Sequence, residues 1–273
     1  KAALALYYGA PTGRAFGQFV QDAGVTMLGV VPTFVKAWRE TECMQGLDWT
    51  RIRCFSSTGE CSNADDMFYL TWLAGYRPVI EYCGGTELAG AYIAGVVTKA
   101  AVPAAFNTFT LGTAAVILDP QGGEDDDGEL FLLPPTMGFS NRLMNSDHHE
   151  VYYRDLPPGP NGEQLRRHGD QIERLPGGYY RAHGRMDDTM NLGGIKVSSA
   201  EIERVVVGIE GVREAAAVTV APEGGGPEEL VIVVVPTPDA APAGELLTAV
   251  RERIRQDLNP LFRVKTLETV DAL

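Results

Sequence analysis

Cysteine, histidine and tryptophan are scarce in this 273-residue chain, at four, four and three copies. Cys43, Cys54, Cys61 and Cys83 include no Cys-x-x-Cys pair, and no histidine lies at ligand spacing from them, which argues against zinc. The spacing offers no disulfide framework, so a reducing, intracellular compartment is expected. His148 and His149 are adjacent, cannot share a helix face and read as loop residues. No apolar run reaches the ~18 residues that a transmembrane helix requires. Residues 1–8 lack a small-residue cleavage site and read as a strand rather than a signal peptide. Positive charge is also short: 23 Lys and Arg against 36 Asp and Glu leave a formal charge of −13. With no basic patch, a nucleic-acid partner is not expected. A phosphate ligand stays open, because such a site is built locally.

Three styles of patterning follow one another. Over residues 1–99, short apolar runs alternate with amphipathic stretches. Strands are expected at 25–31, 52–57 and 78–82, with helices at 34–38 and 63–74. That alternation implies a partial, mostly parallel α/β sheet. Residues 100–185 hold short strands at 114–119, 129–133 and 179–181 between Gly-, Pro- and Asp-rich turns, the signature of a small β-barrel-like subdomain. From 186 to 273 the order is helix, two strands, helix, strand, a small α+β domain. Its first helix opens at Ser198-Ser199-Ala200-Glu201, a capping-box spacing, with Ile202, Val205, Val206 and Ile209 on one face.

Four segments could carry chemistry. Cys83-Gly84-Gly85-Thr86-Glu87 follows a strand where a helix is expected to begin. Glycines there let backbone approach a ligand, Thr86 can offer a hydroxyl to phosphate, and Glu87 can hold Mg2+. Its bland reading is a tight turn that caps a helix. Arg166-Arg167-His168-Gly169-Asp170 ends in a carboxylate suited to ribose hydroxyls, or is a surface turn. The run from Gly178 to Lys196 places Arg185 and Asp187 at a domain border and Gly193-Gly194-Ile195-Lys196 before a helix. It reads as a hinge and an anion-binding loop, or as a linker and a glycine-turned hairpin. Ser57-Thr58-Gly59-Glu60 is a further strand-end loop.

In this order and spacing, the segments resemble the adenylate-forming superfamily of acyl-CoA synthetases, luciferases and peptide-synthetase adenylation domains. Residues 19–25, 188–196 and 256–262 are most similar to plant-type peroxisomal acyl-activating enzymes related to acetyl-CoA synthetase. The resemblance covers essentially the whole chain. It implies ATP, Mg2+ and coenzyme A as partners of a carboxylic acid, with acyl-AMP as intermediate. It implies that Gly59 and Glu60 border adenine, and that Gly84, Gly85 and Thr86 line the nucleotide, with Thr86 on phosphate. Glu87 would hold the metal, Asp170 the ribose, and Arg185 would lie beside the nucleotide. Asp187 would be the hinge, and Gly193, Gly194 and Lys196 the loop that faces the site during thioester formation. The compartment implied is the peroxisome or cytoplasm.

Three departures from the family pattern qualify these expectations. Cys83 stands where the family has an aromatic that stacks on adenine, so either another ring, such as Tyr82, serves or weaker ATP binding is expected. Gly84 replaces the tryptophan that closes the acetate pocket, so an acid larger than acetate is expected. The family's phosphate-loop lysine would precede residue 1 and its late lysine would follow Leu273, so the chain alone is expected to be an inactive fragment. Loading of a carrier protein, or a noncatalytic nucleotide- or partner-binding role, are the alternatives.

Overall fold

The computed structural model describes residues 2–186, 189–222 and 224–273, apart from the side chains of Thr189, Lys196 and Ala200. The first segment is α/β. Helix α1 (Arg14–Asp22) precedes β1 (Met27–Val30), α2 (Pro32–Thr41), β2 (Cys54–Ser57), α3 (Ala64–Leu73) and β3 (Val79–Glu81). The three strands are parallel in the order β1-β2-β3. Pro32 opens α2 instead of merely closing β1: its fixed φ suits a first helical turn, where its missing N–H costs nothing. Asn63 caps α3, accepting from the amides of Asp65 and Asp66. Val35, Trp38, Trp49, Phe55, Met67 and Leu70 form the core between helices and sheet. Residues 2–8 adopt no strand, contrary to the alternation of their side chains: among the described residues no neighbouring strand pairs with them.

The middle segment is antiparallel. Strands β4 (Cys83–Gly85), β5 (Gly90–Ala94) and β6 (Thr108–Phe109) form one small sheet. Strands β7 (Ala114–Leu118), β8 (Asp127–Leu133), β9 (Arg166–Leu175) and β10 (Tyr179–Arg185) form another, in the order β10-β9-β8-β7. The expected barrel-like closure is corrected: a single bridge, Phe106 to Tyr180, joins the two sheets, and the described strands close no barrel. No α-helix follows Gly85 either; Thr86–Leu88 make one 3-10 turn that ends at Ala89 in the left-handed region. His148 begins a five-residue helix, α4 (His148–Tyr152), capped by Asp147. Arg166 is fully buried between the rings of Phe139 and Tyr152, which fastens this excursion to β9.

The last segment begins with the hairpin β11 (Thr189–Leu192) and β12 (Ile195–Ser198). Gly193 and Gly194 form its turn at φ 62° and 79°, the two positive values of a type I′ connection. Helix α5 (Ser199–Val207), β13 (Val212–Val220), β14 (Glu229–Pro236), α6 (Ala243–Asp257) and β15 (Val264–Thr269) follow, with sheet order β13-β14-β15. Ser198 holds the N-cap position of α5 but makes no side-chain cap bond, so the capping box read from the sequence is not formed. Ile202, Val206, Ile232, Val250 and Ile254 lie at the centre of a separate core. The described cores share no residue between the part before residue 183 and the part after residue 189.

Candidate nucleotide site

A cavity of about 430 Å3 opens where β2 and β3 end, between the first two segments and the β11–β12 hairpin. Ligand sites in open parallel sheets lie at the carboxyl ends of strands for topological reasons. Gly59, Glu60, Gly84, Gly85, Thr86, Glu87, Asp170, Arg185 and Gly194 all line it. They come from loops and strands far apart in sequence. Gly193 is not among them; a side chain there would face Leu261, because the two residues of the tight turn point apart. Asp187 and the Lys196 side chain lie outside the described residues.

The Asp170 carboxylate organises the floor. Its Oδ2 accepts from Tyr92 Oη at 2.9 Å, from Cys83 Sγ at 3.3 Å and faces His168 Nε2 at 3.0 Å. Its Oδ1 takes Arg185 Nη1 at 2.9 Å, and the same nitrogen donates to the His168 carbonyl at 2.6 Å. Three groups saturate Oδ2, so Oδ1 is the oxygen with a lone pair left for a ligand. Burial alone would raise this pKa, but the charge and hydrogen bond of His168, and then those of Arg185, outweigh it and hold the carboxyl far below the usual range. Burial, followed by the Asp170 charge, pushes the Cys83 thiol well up, so it donates as a thiol. The Cys83, His168 and Asp170 ligand atoms lie within 4.8 Å of one another. Hydrogen bonding to one carboxylate accounts for that convergence.

Glu60 does not reach freely into the cavity. Its Oε2 accepts from the backbone N–H of Thr33 at 3.0 Å and from the Thr33 hydroxyl at 2.6 Å, at the positive end of α2. Gly59, at φ 96°, brings its carbonyl to the Asn191 amide. Gly84 has a reason of its own to lack a side chain: a Cβ there would overlap the Gly90 carbonyl oxygen and stand 2.7 Å from Ala91 Cα. The β5 backbone fills the space beside it.

Sequence reasoning passed over Glu81, Tyr92, Asn191 and Glu228. Glu81 is buried at the end of β3, accepts from Ser62 Oγ at 2.9 Å and has one oxygen without a partner. Burial pushes its pKa up to about 7. Its place as the last residue of a parallel strand was a usable signal. Tyr92 sits on an antiparallel strand with ordinary alternation and offered none. Glu228 accepts from the Arg185 and Asn191 amides at 3.4 and 3.3 Å, joining the last segment to the floor.

Arg185 holds the buried Asp170, and Gly84, Gly85, Thr86 and Glu87 line the same cavity. Residues 201–273 match the family described as the AMP-binding enzyme C-terminal domain. The chain is 50% identical over 277 residues to the probable acyl-activating enzyme 18, peroxisomal, of Arabidopsis thaliana, an alignment covering 98% of the chain and 38% of that protein. It is 46% identical over 281 residues to the hexanoyl-CoA synthase of Cannabis sativa, covering 100% of the chain and 39% of that protein. It thus spans about two fifths of the length of these relatives. A malonyl-CoA ligase solved with methylmalonyl-CoA and AMP has the same fold at a TM-score of 0.74 and 24% identity, covering 96% of this chain and 55% of that one.

Proposed function

We propose that this chain supplies the nucleotide wall and the C-terminal lid of an ATP-dependent acyl-CoA ligase. The observation that carries the reading is the convergence on one cavity of Gly59, Glu60, Thr86, Glu87, Asp170 and Arg185 from separate loops and strands. In the first half-reaction a carboxylate oxygen attacks the α-phosphorus of ATP, and the bond to pyrophosphate breaks. In the second the CoA sulfur attacks the acyl carbon, the thiol proton leaves, and AMP departs. Asp170 Oδ1 would receive a ribose hydroxyl, with Arg185 fixing that oxygen. Thr86 would offer its hydroxyl to phosphate.

Glu87 and Thr86 present hard oxygen donors, which fit Mg2+; the ion would neutralise phosphate charge when bound. Positioned charge is the main requirement of such displacements. Residues 1–99 and 100–185 would act as the fixed part and 186–273 as the lid, turning at Asp187, with Lys196 brought to the site by the Gly193-Gly194 turn.

An acid larger than acetate is supported by the name of the Cannabis sativa relative, and CoA in preference to a carrier protein by the same name. The peroxisome is the proposed compartment, after the relatives described as peroxisomal. The test is the full-length enzyme supplied with ATP, CoA and a series of linear acids from acetate upward. Acyl-CoA and AMP formation with a maximum beyond acetate is expected. A maximum at acetate overturns the substrate class, and formation of no acyl-CoA overturns the activity.

A further inference from the structure

The last segment lies over the cavity without sharing a hydrophobic core with the parts beneath it. Its seating among the described residues is polar. Asn191 reaches the Gly59 carbonyl, Lys36 meets Glu229 at 3.4 Å, and Asn63 holds the loop between β13 and β14. The Lys36 pair is part-exposed, and Glu229 also serves Lys265 at 3.1 Å, so water and a competing partner weaken it. The Asn63 contact has no competing partner, and although its bond to Gly224 is exposed, its bond to Gly225 is part-buried. Its Nδ2 donates to the carbonyls of Gly224 and Gly225, both at 3.0 Å. Its Oδ1 simultaneously accepts from Asp65 N at 2.9 Å and Asp66 N at 3.2 Å. The amide plane is thereby fixed from both ends, and α3 supplies a rigid base. On the other side Gly224, Gly225 and Gly226 hold φ values of 86°, 79° and 120°, a run that only glycine adopts cheaply. That run turns two successive carbonyls toward one NH2 group.

We propose that Asn63 is a positioning residue that latches the C-terminal segment over the cavity, capping α3 with its oxygen and gripping the glycine loop with its nitrogen. The latch sets how long Asn191, Gly194, Ile195 and Glu228 stay on the cavity wall. Its consequence for turnover rests on the ligase reading; its existence does not.

The two halves of the amide can be separated by substitution. Asp and Ser both cap helices, yet neither has an NH2 group. In the 273-residue chain, amide hydrogen exchange is measured for wild type, Asn63→Asp, Asn63→Ser and Asn63→Ala. In the Asp and Ser variants, exchange across 189–195 and 224–230 should rise ~tenfold, the scale of losing two net hydrogen bonds. Protection across 64–73 should stay at the wild-type level. In Asn63→Ala both regions should loosen. Unchanged exchange at 189–195 in a folded Asp or Ser variant overturns the latch, as does loosening confined to α3. If Asn63→Asp does not fold, Asn63→Ser gives the same reading. The experiment needs no acid, nucleotide or CoA, so failure of the latch is distinguishable from failure of the ligase assignment.

Discussion

His168 places Nε2 3.0 Å from Asp170 Oδ2, and across the ring its Nδ1 lies 3.7 Å from Glu87 Oε1. One buried imidazole thus stands between the acid proposed to hold ribose and the acid proposed to hold the cation. Tyr92 packs edge-on against the same ring, with centroids 4.5 Å apart, which keeps it from turning. The two ends of the cavity are coupled through a side chain that touches neither ligand in the proposed scheme.

Replacing Asp170 with Asn should cost both stability and nucleotide binding. The variant removes the buried acid that Arg185 and His168 share, and breaking a buried pair of this kind costs ~3 kcal/mol or more. Urea unfolding should show that loss as a lower midpoint. Calorimetric titration with AMP should show affinity at least ~tenfold weaker, the effect of one lost charge-assisted bond.

Glu81 predicts a pH dependence of opposite sign to that of an ordinary surface acid. Its pKa is about 7 in the folded chain against 4.5 for the free group. Between those values the folded state holds a proton that the unfolded state has released, so stability falls as pH rises. The contribution is fully present below about pH 4.5 and is lost by about pH 7. Glu81→Gln removes this penalty. Compared with wild type it should gain stability at pH 8, by up to ~3 kcal/mol, and gain little at pH 5. Urea midpoints at the two pH values measure the difference; equal gains at both would show that Glu81 stays ionised.

Gly84→Ala should destabilise the chain by ~1–3 kcal/mol, the usual cost of forcing atoms into filled space. The added Cβ runs into the β5 backbone, which cannot rotate aside as a side chain would. Chemical unfolding, with AMP titration alongside, tests this. An unchanged midpoint would mean that β4 and β5 separate at no cost.

Gly194→Ala probes the hairpin turn with less interference from packing. The residue has φ 79°, and the nearest atom to an added Cβ is Val31 Cγ1 at 3.9 Å. The cost should be ~1 kcal/mol from backbone strain alone. A loss several times larger would mean that the methyl group also displaces the turn from the cavity wall.

Much of the α/β part was legible because its signals are local. Pro32 read as the end of a strand and opens a helix instead, but apolar runs at the spacing of buried strands and the helical spacing from Asn63 act within a few residues. The same holds for Gly193-Gly194, where two successive positive φ values demand glycine. The failures were non-local. Arg166 to Asp170 read as a turn, yet Asp170 sits on a ten-residue strand, because two antiparallel neighbours supply hydrogen bonds that propensity cannot foresee. Residues 1–8 alternate like a strand and remain without a partner strand among the described residues. Ser198 has a capping residue's identity but not its hydrogen bond.

Residue order alone carried the chemistry-bearing types, the glycines that turns require and the resemblance to adenylate-forming enzymes. Those properties are set by covalent spacing and backbone sterics. Tertiary structure decided which of them meet. It saturated one oxygen of Asp170 and turned Glu60 onto α2. It also seated the last segment through Asn63. Each of these depends on chain crossings dozens of residues apart, where desolvation and hydrogen-bond geometry, not local pattern, set the outcome.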